Sequence, residues 1–180
     1  MPNPIQDIST VDDVSYPYIF EQNVSIPLQG GGVVRCNVYR PKDDGTGKYP
    51  VIATYGPYGK DVPYEVFHPK SFAELNPEHK AYAEHTAWET PNPNFWTSHG
   101  YAVVRADETG AGQSPGVLDV MSGSTPDGLY DLIEWASVQP WSTGRVGLLG
   151  ISYYAATQWQ VAARKPKGLA ARLSIHNVME

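Results

Sequence analysis

"GLLGISYYAA", residues 147–156, runs apolar, sets a serine at position 152 and continues as a helix-like run. A hydroxyl at that step stands at the carboxyl end of a strand, where open α/β sheets collect their reactive groups. The flanks agree. "GRVGLLG" (144–150) is short and apolar, as a buried strand should be, and "YYAATQWQVAARK" (153–165) reads as a helix stopped by Pro166. "GLAARLSIH" (168–176) reads as a further strand. Upstream, "STPDGLYDLIEWASV" (124–138) reads as a helix. Thr125 can cap it, Pro126 suits its first position and Asp127 suits its positive end. Leu129, Leu132, Ile133 and Ala136 fall at i, i+3, i+4 and i+7, an apolar stripe. "YAVVRAD" (101–107) and "PVIATY" (50–55) are two more buried-strand candidates. Strands alternating with helices imply right-handed crossovers and a parallel sheet with helices on both faces. "YIFEQNVSI" (18–26) and "VVRCNVYR" (33–40) are strands joined by "PLQGGG", whose glycines supply positive φ for a turn. They predict an antiparallel entry to a mostly parallel sheet.

The chain has 180 residues, enough for one domain with a sizeable core. Its formal net charge of −6 does not suggest nucleic acid or an anionic membrane as partner. No apolar run approaches the roughly 18 residues of a membrane helix. The N-terminus lacks the basic and apolar regions of a signal peptide, so a reducing cytoplasm is the expected location. Cys36 is the only cysteine, which excludes an internal disulfide, and it lies in an apolar run where it packs. Asn23-Val24-Ser25 matches a glycosylation acceptor, read as chance without a secretory signal. The first 18 residues read as an arm on the surface. Residues 56–99 are harder: 71–89 could be helical but carry a poor apolar stripe, and so long an irregular stretch is usually functional or poorly ordered.

A nucleophilic serine needs a tight strand-to-helix turn with small residues around it. Gly150 meets that need two residues before Ser152, but Tyr154 stands where the common pattern has a second glycine. The helix amides after Ser152 would point at the reaction centre, and the Tyr153 amide could donate to an oxyanion. The alternative is that Ser152 is a plain helix cap. Tyr58 lies in the loop after another central strand, a loop that often completes an oxyanion hole in this class. Its alternative is packing on a turn.

Together these segments resemble the cocaine esterase, α-amino-acid ester hydrolase and X-Pro dipeptidyl-peptidase group of serine α/β-hydrolases, the CocE/NonD type. "GISYYAATQW" is similar to that group's nucleophile segment, in which Gly-x-Ser-Tyr is followed by one residue and then a small one, here Ala155. "IEWASVQPWSTGRVGLLG", "YPVIATYGPYGK", "GYAVVRADETGAGQSPG" and "VSIPLQGGGVVRCNVYRP" match in the same order, so the resemblance covers roughly residues 18–175. It implies an α/β-hydrolase-type sheet, incomplete at the C-terminus. It implies a serine hydrolase acting on a small-molecule ester or amide without cofactor or metal. Ser152 would be the nucleophile, with the Tyr58 hydroxyl and the Tyr153 amide as the oxyanion hole. Thr109 departs from the group's Asp-x-Arg-Gly, so any ion pair made by that arginine is lost.

In this fold the acid and histidine follow the serine. Only 28 residues follow Ser152, and they hold one histidine, His176, and one side-chain carboxylate, Glu180. His176 breaks the family order and is not expected to serve. His68, His79, His85 and His99 precede the serine and show no metal spacing. Residues 1–18 are therefore read as an arm and 19–180 as the N-terminal portion of a hydrolase domain. The cap, acid/base region and C-terminal β-sandwich would lie in the remainder of the polypeptide, and this chain alone should be inactive. A non-catalytic module binding a small ligand or partner is the competing reading. Dinucleotide binding through "GAGQSPG" fails, because Pro115 takes the place of the third glycine. Asp107 and Glu108 are expected to cap loops. Trp135, Trp141 and Trp159 would suit a flat apolar acyl group or simply pack.

Overall fold

The computed structural model describes residues 5, 7–43, 45–81 and 83–175. His176 and Glu180 lie outside the described residues. Among those described, the strands are β1 (Thr10–Asp12), β2 (Tyr18–Pro27), β3 (Val33–Pro41), β4 (Tyr49–Gly56), β5 (Ala102–Asp107), β6 (Ser142–Ile151) and β7 (Leu169–Ile175). They form one sheet in the order β1-β2-β3-β5-β4-β6-β7. Pairing is antiparallel from β1 through β3 to β5 and parallel across β5, β4, β6 and β7. The architecture is the mixed sheet with a parallel core and antiparallel entry that the sequence predicts. β1 adds an edge strand inside the stretch read as an arm.

From β4 the chain crosses to β5 on one side, then returns past β4 to β6 on the other. Right-handed crossovers in opposite directions must place their helices on opposite faces. So α4 (Pro93–Ser98) lies against β2, β3 and β5, whereas α5 (Ser124–Ser137) and α6 (Tyr153–Ala162) share the other face. The strand pleat sends alternate residues to the two sides. Val51, Ala53 and Tyr55 meet Leu129, Leu132, Ile133, Ala136 and Val161 in the main core. Tyr18, Phe20, Tyr39 and Val103 form a smaller cluster against Trp96 of α4. The turn before β3 places Gly31 and Gly32 at φ 92° and 84°, as its sequence predicts.

Several local expectations change. α5 starts at Ser124 with Gly123 as N-cap, and no side chain caps it. Thr125 is inside the helix, and its hydroxyl donates to Glu108 instead. Pro126 is thus the third helical residue, while Asp127 keeps its first-turn place and pairs with Arg164. The single helix considered over 71–89 is instead α2 (Pro69–Ala73) and α3 (Pro77–Ala81), preceded by α1 (Tyr64–Phe67). A proline cannot continue the preceding helix, because it lacks the amide and its ring clashes with the earlier carbonyl. Pro77 therefore divides the segment. α4 is begun by Asn92, whose side chain accepts from the Asn94 and Phe95 amides at 2.9 and 3.4 Å.

Asn23 of the glycosylation-like triplet sits in a bulge of β2, is only 4% exposed and accepts from Lys60 Nζ at 2.7 Å. Cys36 is fully buried, and burial pushes its thiol pKa up. No helix among the described residues is long and apolar enough to cross a membrane.

Candidate active site

β4, β5 and β6 end side by side, at Gly56, Asp107 and Ile151. Their three following loops meet at Ser152. Ser152 adopts φ 57° and ψ −115°, a conformation that costs a non-glycine residue on the order of 1–3 kcal/mol. Its carbonyl accepts the Ala155 and Ala156 amides, both at 3.0 Å, so the helix begins on its backbone. Its side chain makes no capping bond and is exposed. A serine serving as a plain cap would direct its oxygen at its own helix. This one directs it away, at the cost of backbone strain.

The turn closes only because of two glycines. A Cβ on Gly150 would collide with the Cβ of Tyr154 and crowd its backbone. A Cβ on Gly56 would lie 2.5 Å from the Tyr154 ring. Tyr154 is 5% exposed, so its ring fills the space beneath the turn that both glycines leave. The missing second glycine of the common pattern is therefore no obstacle. The room comes from Gly56 on β4, remote in sequence.

Tyr58 follows β4 and meets Tyr154 edge-on at 5.5 Å and Tyr153 at 6.0 Å between ring centroids. Burial raises its phenol pKa and nearby Glu89 adds to the rise, while interaction with the Ser152 hydroxyl pulls the other way. The phenol and the serine hydroxyl are thus neighbours. Tyr153 is the first residue of α6, and the first amides of a helix have no intrahelical acceptor. The structure brings Ser152, Tyr58 and Tyr153 together.

Asp107 is 1% exposed and accepts the Lys60 amide at 2.5 Å and the Gln113 amide at 2.8 Å. It caps two loops, as expected, and one of them carries Tyr58. Burial pushes its carboxyl up to about 6, against the opposing pull of the Gln113 amide and Lys60. Glu108 does not cap with its side chain. It accepts the Tyr153 hydroxyl at 2.6 Å and the Thr125 hydroxyl. Tyr153 is pushed up to about 12, by burial first and then by this bond.

The remaining wall was not legible in advance. Phe67 of α1 packs on Tyr58 at 5.3 Å and on Trp88 at 6.0 Å, and His68 stacks on Trp88 at 4.5 Å. Glu89 sits at φ 57° with a buried carboxylate oxygen that has no partner among the described residues, and burial raises its pKa. Trp88 and Glu89 also line a hollow of about 420 Å³ with Leu149 and Ile151 of β6. The three tryptophans considered for an acyl pocket lie elsewhere. Trp135 and Trp141 pack against the main core, and Trp159 is exposed on α6 beneath Arg172.

Two of the histidines that precede Ser152 are bonded elsewhere. His85 bonds to Tyr18 at 2.8 Å and His99 to the Phe95 carbonyl at 2.7 Å. Among the described residues no group of three or more His, Cys, Asp or Glu is arranged to hold a metal ion.

The model of the X-Pro dipeptidyl-peptidase (S15) family matches residues 30–179. Cocaine esterase of Rhodococcus sp. (strain MB1 Bresler) is 31% identical over 156 residues, covering 86% of this chain and 23% of its own. A CocE/NonD family hydrolase from Staphylococcus aureus superposes with a TM-score of 0.75 at 35% identity, over 90% of this chain and 28% of that one. An aminopeptidase from a marine sediment archaeon, Thaumarchaeota archaeon, shares the fold with a TM-score of 0.61 at 20% identity, over 97% and 28% of the two chains. The chain spans about a quarter of the length of these relatives.

Proposed function

The chain belongs to the X-Pro dipeptidyl-peptidase (S15) family, and on that premise we propose that it carries the nucleophile half of a serine hydrolase site for a small ester or amide. Ser152 Oγ attacks the substrate carbonyl carbon. The carbonyl electron pair moves to oxygen, where the Tyr58 hydroxyl and the Tyr153 amide receive the negative charge. Collapse of that intermediate expels the alcohol or amine and leaves the acyl group on Ser152. Water then releases the acid by the same steps in reverse order.

A serine hydroxyl is a weak nucleophile without a base. The proton must pass to a histidine and then to the leaving group. We place that histidine and its orienting carboxylate in polypeptide beyond residue 180. By this reading the 180-residue chain alone does not turn over a p-nitrophenyl ester. Turnover that disappears in Ser152→Ala would contradict it.

One observation carries the proposal: the Ser152 side chain is exposed and free of its helix although its backbone is strained to put it there. A helix cap needs no such strain. The test is reaction of a fluorophosphonate probe with the longest native polypeptide containing this chain. Labelling at Ser152, absent from Ser152→Ala, supports the proposal. An unlabelled Ser152 favours a non-catalytic module that binds a ligand on the same scaffold.

A further inference from the structure

Ser152 owes its conformation to what holds the residue after it. The backbone at Tyr153 must keep Ser152 at φ 57° and also aim the Tyr153 amide at the developing oxyanion. Strained backbone persists only where its surroundings over-determine it. Gly150 and Tyr154 supply the fit beneath the turn. The Tyr153 side chain supplies an anchor beside it, and that anchor ends on Glu108.

Glu108 is fixed before it touches Tyr153. Its amide donates to the Gly56 carbonyl at 2.9 Å, which ties it to the end of β4. Its own carbonyl accepts the Ala111 amide at 2.8 Å. Next to it the Thr109 amide donates to the Tyr55 hydroxyl at 3.2 Å, a second tie to β4. Glu108 is 2% exposed. One carboxylate oxygen takes the Thr125 hydroxyl from α5, and the other takes the Tyr153 hydroxyl from α6. The Tyr153 oxygen in turn accepts the Met121 amide at 3.3 Å, so the phenol is held as donor and as acceptor.

A buried carboxylate costs free energy unless its oxygens are bonded. Here both are, by hydroxyls from two different helices. A carboxylate can accept from both at once on separate oxygens, which an apolar side chain in its place could not.

We propose that Glu108 is a positioning residue for the nucleophile: through the Tyr153 hydroxyl it holds the first turn of α6 against the ends of β4 and β5, and so holds Ser152 and the Tyr153 amide in reactive register. It touches neither substrate nor the reacting atoms. The inference rests on the role of Ser152 proposed above and names the group that keeps that role available.

The test uses the longest native polypeptide containing this chain. It measures the second-order rate of fluorophosphonate labelling at Ser152 and, with a p-nitrophenyl ester, kcat and KM separately. The variants are Glu108→Ala, Glu108→Gln, Tyr153→Phe and the Glu108→Ala/Tyr153→Phe pair. A loss of alignment without loss of binding lowers kcat and leaves KM alone. Glu108→Ala is expected to lower labelling and kcat by about 10- to 100-fold with KM within about twofold. Glu108→Gln keeps an acceptor for Tyr153 and an amide that Thr125 can accept, so it should recover to within about threefold of wild type. Tyr153→Phe preserves the backbone amide and should lose rate like Glu108→Ala. It keeps the inference testable if Glu108→Ala does not fold. In the pair, the two losses should be less than additive, because both cut one bond.

Labelling and kcat per folded molecule that are unchanged in both Glu108→Ala and Tyr153→Phe overturn the inference while leaving Ser152 as the nucleophile. So does a Glu108→Gln loss equal to that of Glu108→Ala. Absence of label in the wild type overturns the hydrolase reading, and the inference falls with it. The two failures are thus told apart by the wild-type lane.

Discussion

Two regions of the molecule reach Ser152, and they are built by opposite means. The turn from β6 to α6 is a steric lock. Gly150 and Gly56 have no room for a side chain, Tyr154 fills what they leave, and Ser152 accepts an unfavourable φ. The segment 57–101 is a set of one-turn helices led by prolines, joined through the packed rings of Tyr58, Phe67, His68 and Trp88. Dense packing cannot absorb an added methyl group, whereas partly exposed rings can shift. The difference assigns precision to the turn and adaptability to the segment. Tyr58 is the exception. It belongs to the segment by sequence, but Asp107 fastens its loop to the sheet through the Lys60 amide.

This contrast can be broken by substitution. The largest effect is expected at Gly150→Ala, where the new Cβ meets the Tyr154 backbone as well as its side chain. Unfolding free energy should fall by about 3 kcal/mol, and probe labelling should be lost even in the folded fraction. Urea denaturation and labelling read the two. A Gly150→Ala protein with normal stability and labelling would show that the turn is not a lock.

Tyr58→Phe removes one hydroxyl and no packing. Its labelling rate should fall by about 10²-fold, near 3 kcal/mol of barrier, with the urea midpoint almost unmoved. Equal losses in stability and rate would return Tyr58 to a packing role.

Asp107 sharpens the comparison through pH. Its folded pKa of about 6 lies above the ordinary value of 3.8, so the folded state holds this proton more tightly. The sign follows: its stabilising contribution is complete below about pH 4 and is lost as pH rises through about 6. Unfolding free energies of wild type and Asp107→Asn should therefore differ between pH 4 and pH 7, by on the order of 3 kcal/mol in this single contribution. A difference independent of pH contradicts the burial of that carboxyl. The smallest effect is expected from Trp88→Ala, about 1 kcal/mol of stability and less than tenfold in labelling rate, because its stacking partners can close up. A loss matching that of Gly150→Ala would erase the distinction between the two regions.

The sheet was legible because buried strands are short β-branched runs and α5 carries a regular stripe, both of which survive in one dimension. The nucleophile turn was legible from Gly150 and Ser152 for the same local reason. What was not legible depends on partners far along the chain. Thr125 looks like a cap because serine and threonine often cap, but its hydroxyl is claimed by Glu108. Tyr154 looks like a broken pattern until Gly56 is found beneath it. Glu108 looks like a loop residue until α5 and α6 each send it a hydroxyl. α4 carried its own signal in Asn92 and Pro93, but six residues are too few for periodicity to show.

The central claim is that the Ser152 oxygen faces two donors waiting for negative charge. It is tested most directly by a crystal structure of the phosphonylated native polypeptide. The account predicts a phosphorus–Oγ bond at Ser152, with the phosphoryl oxygen within about 3 Å of both the Tyr58 hydroxyl and the Tyr153 amide. A phosphoryl oxygen turned to solvent, or held by other groups with Tyr58 apart from it, would contradict it.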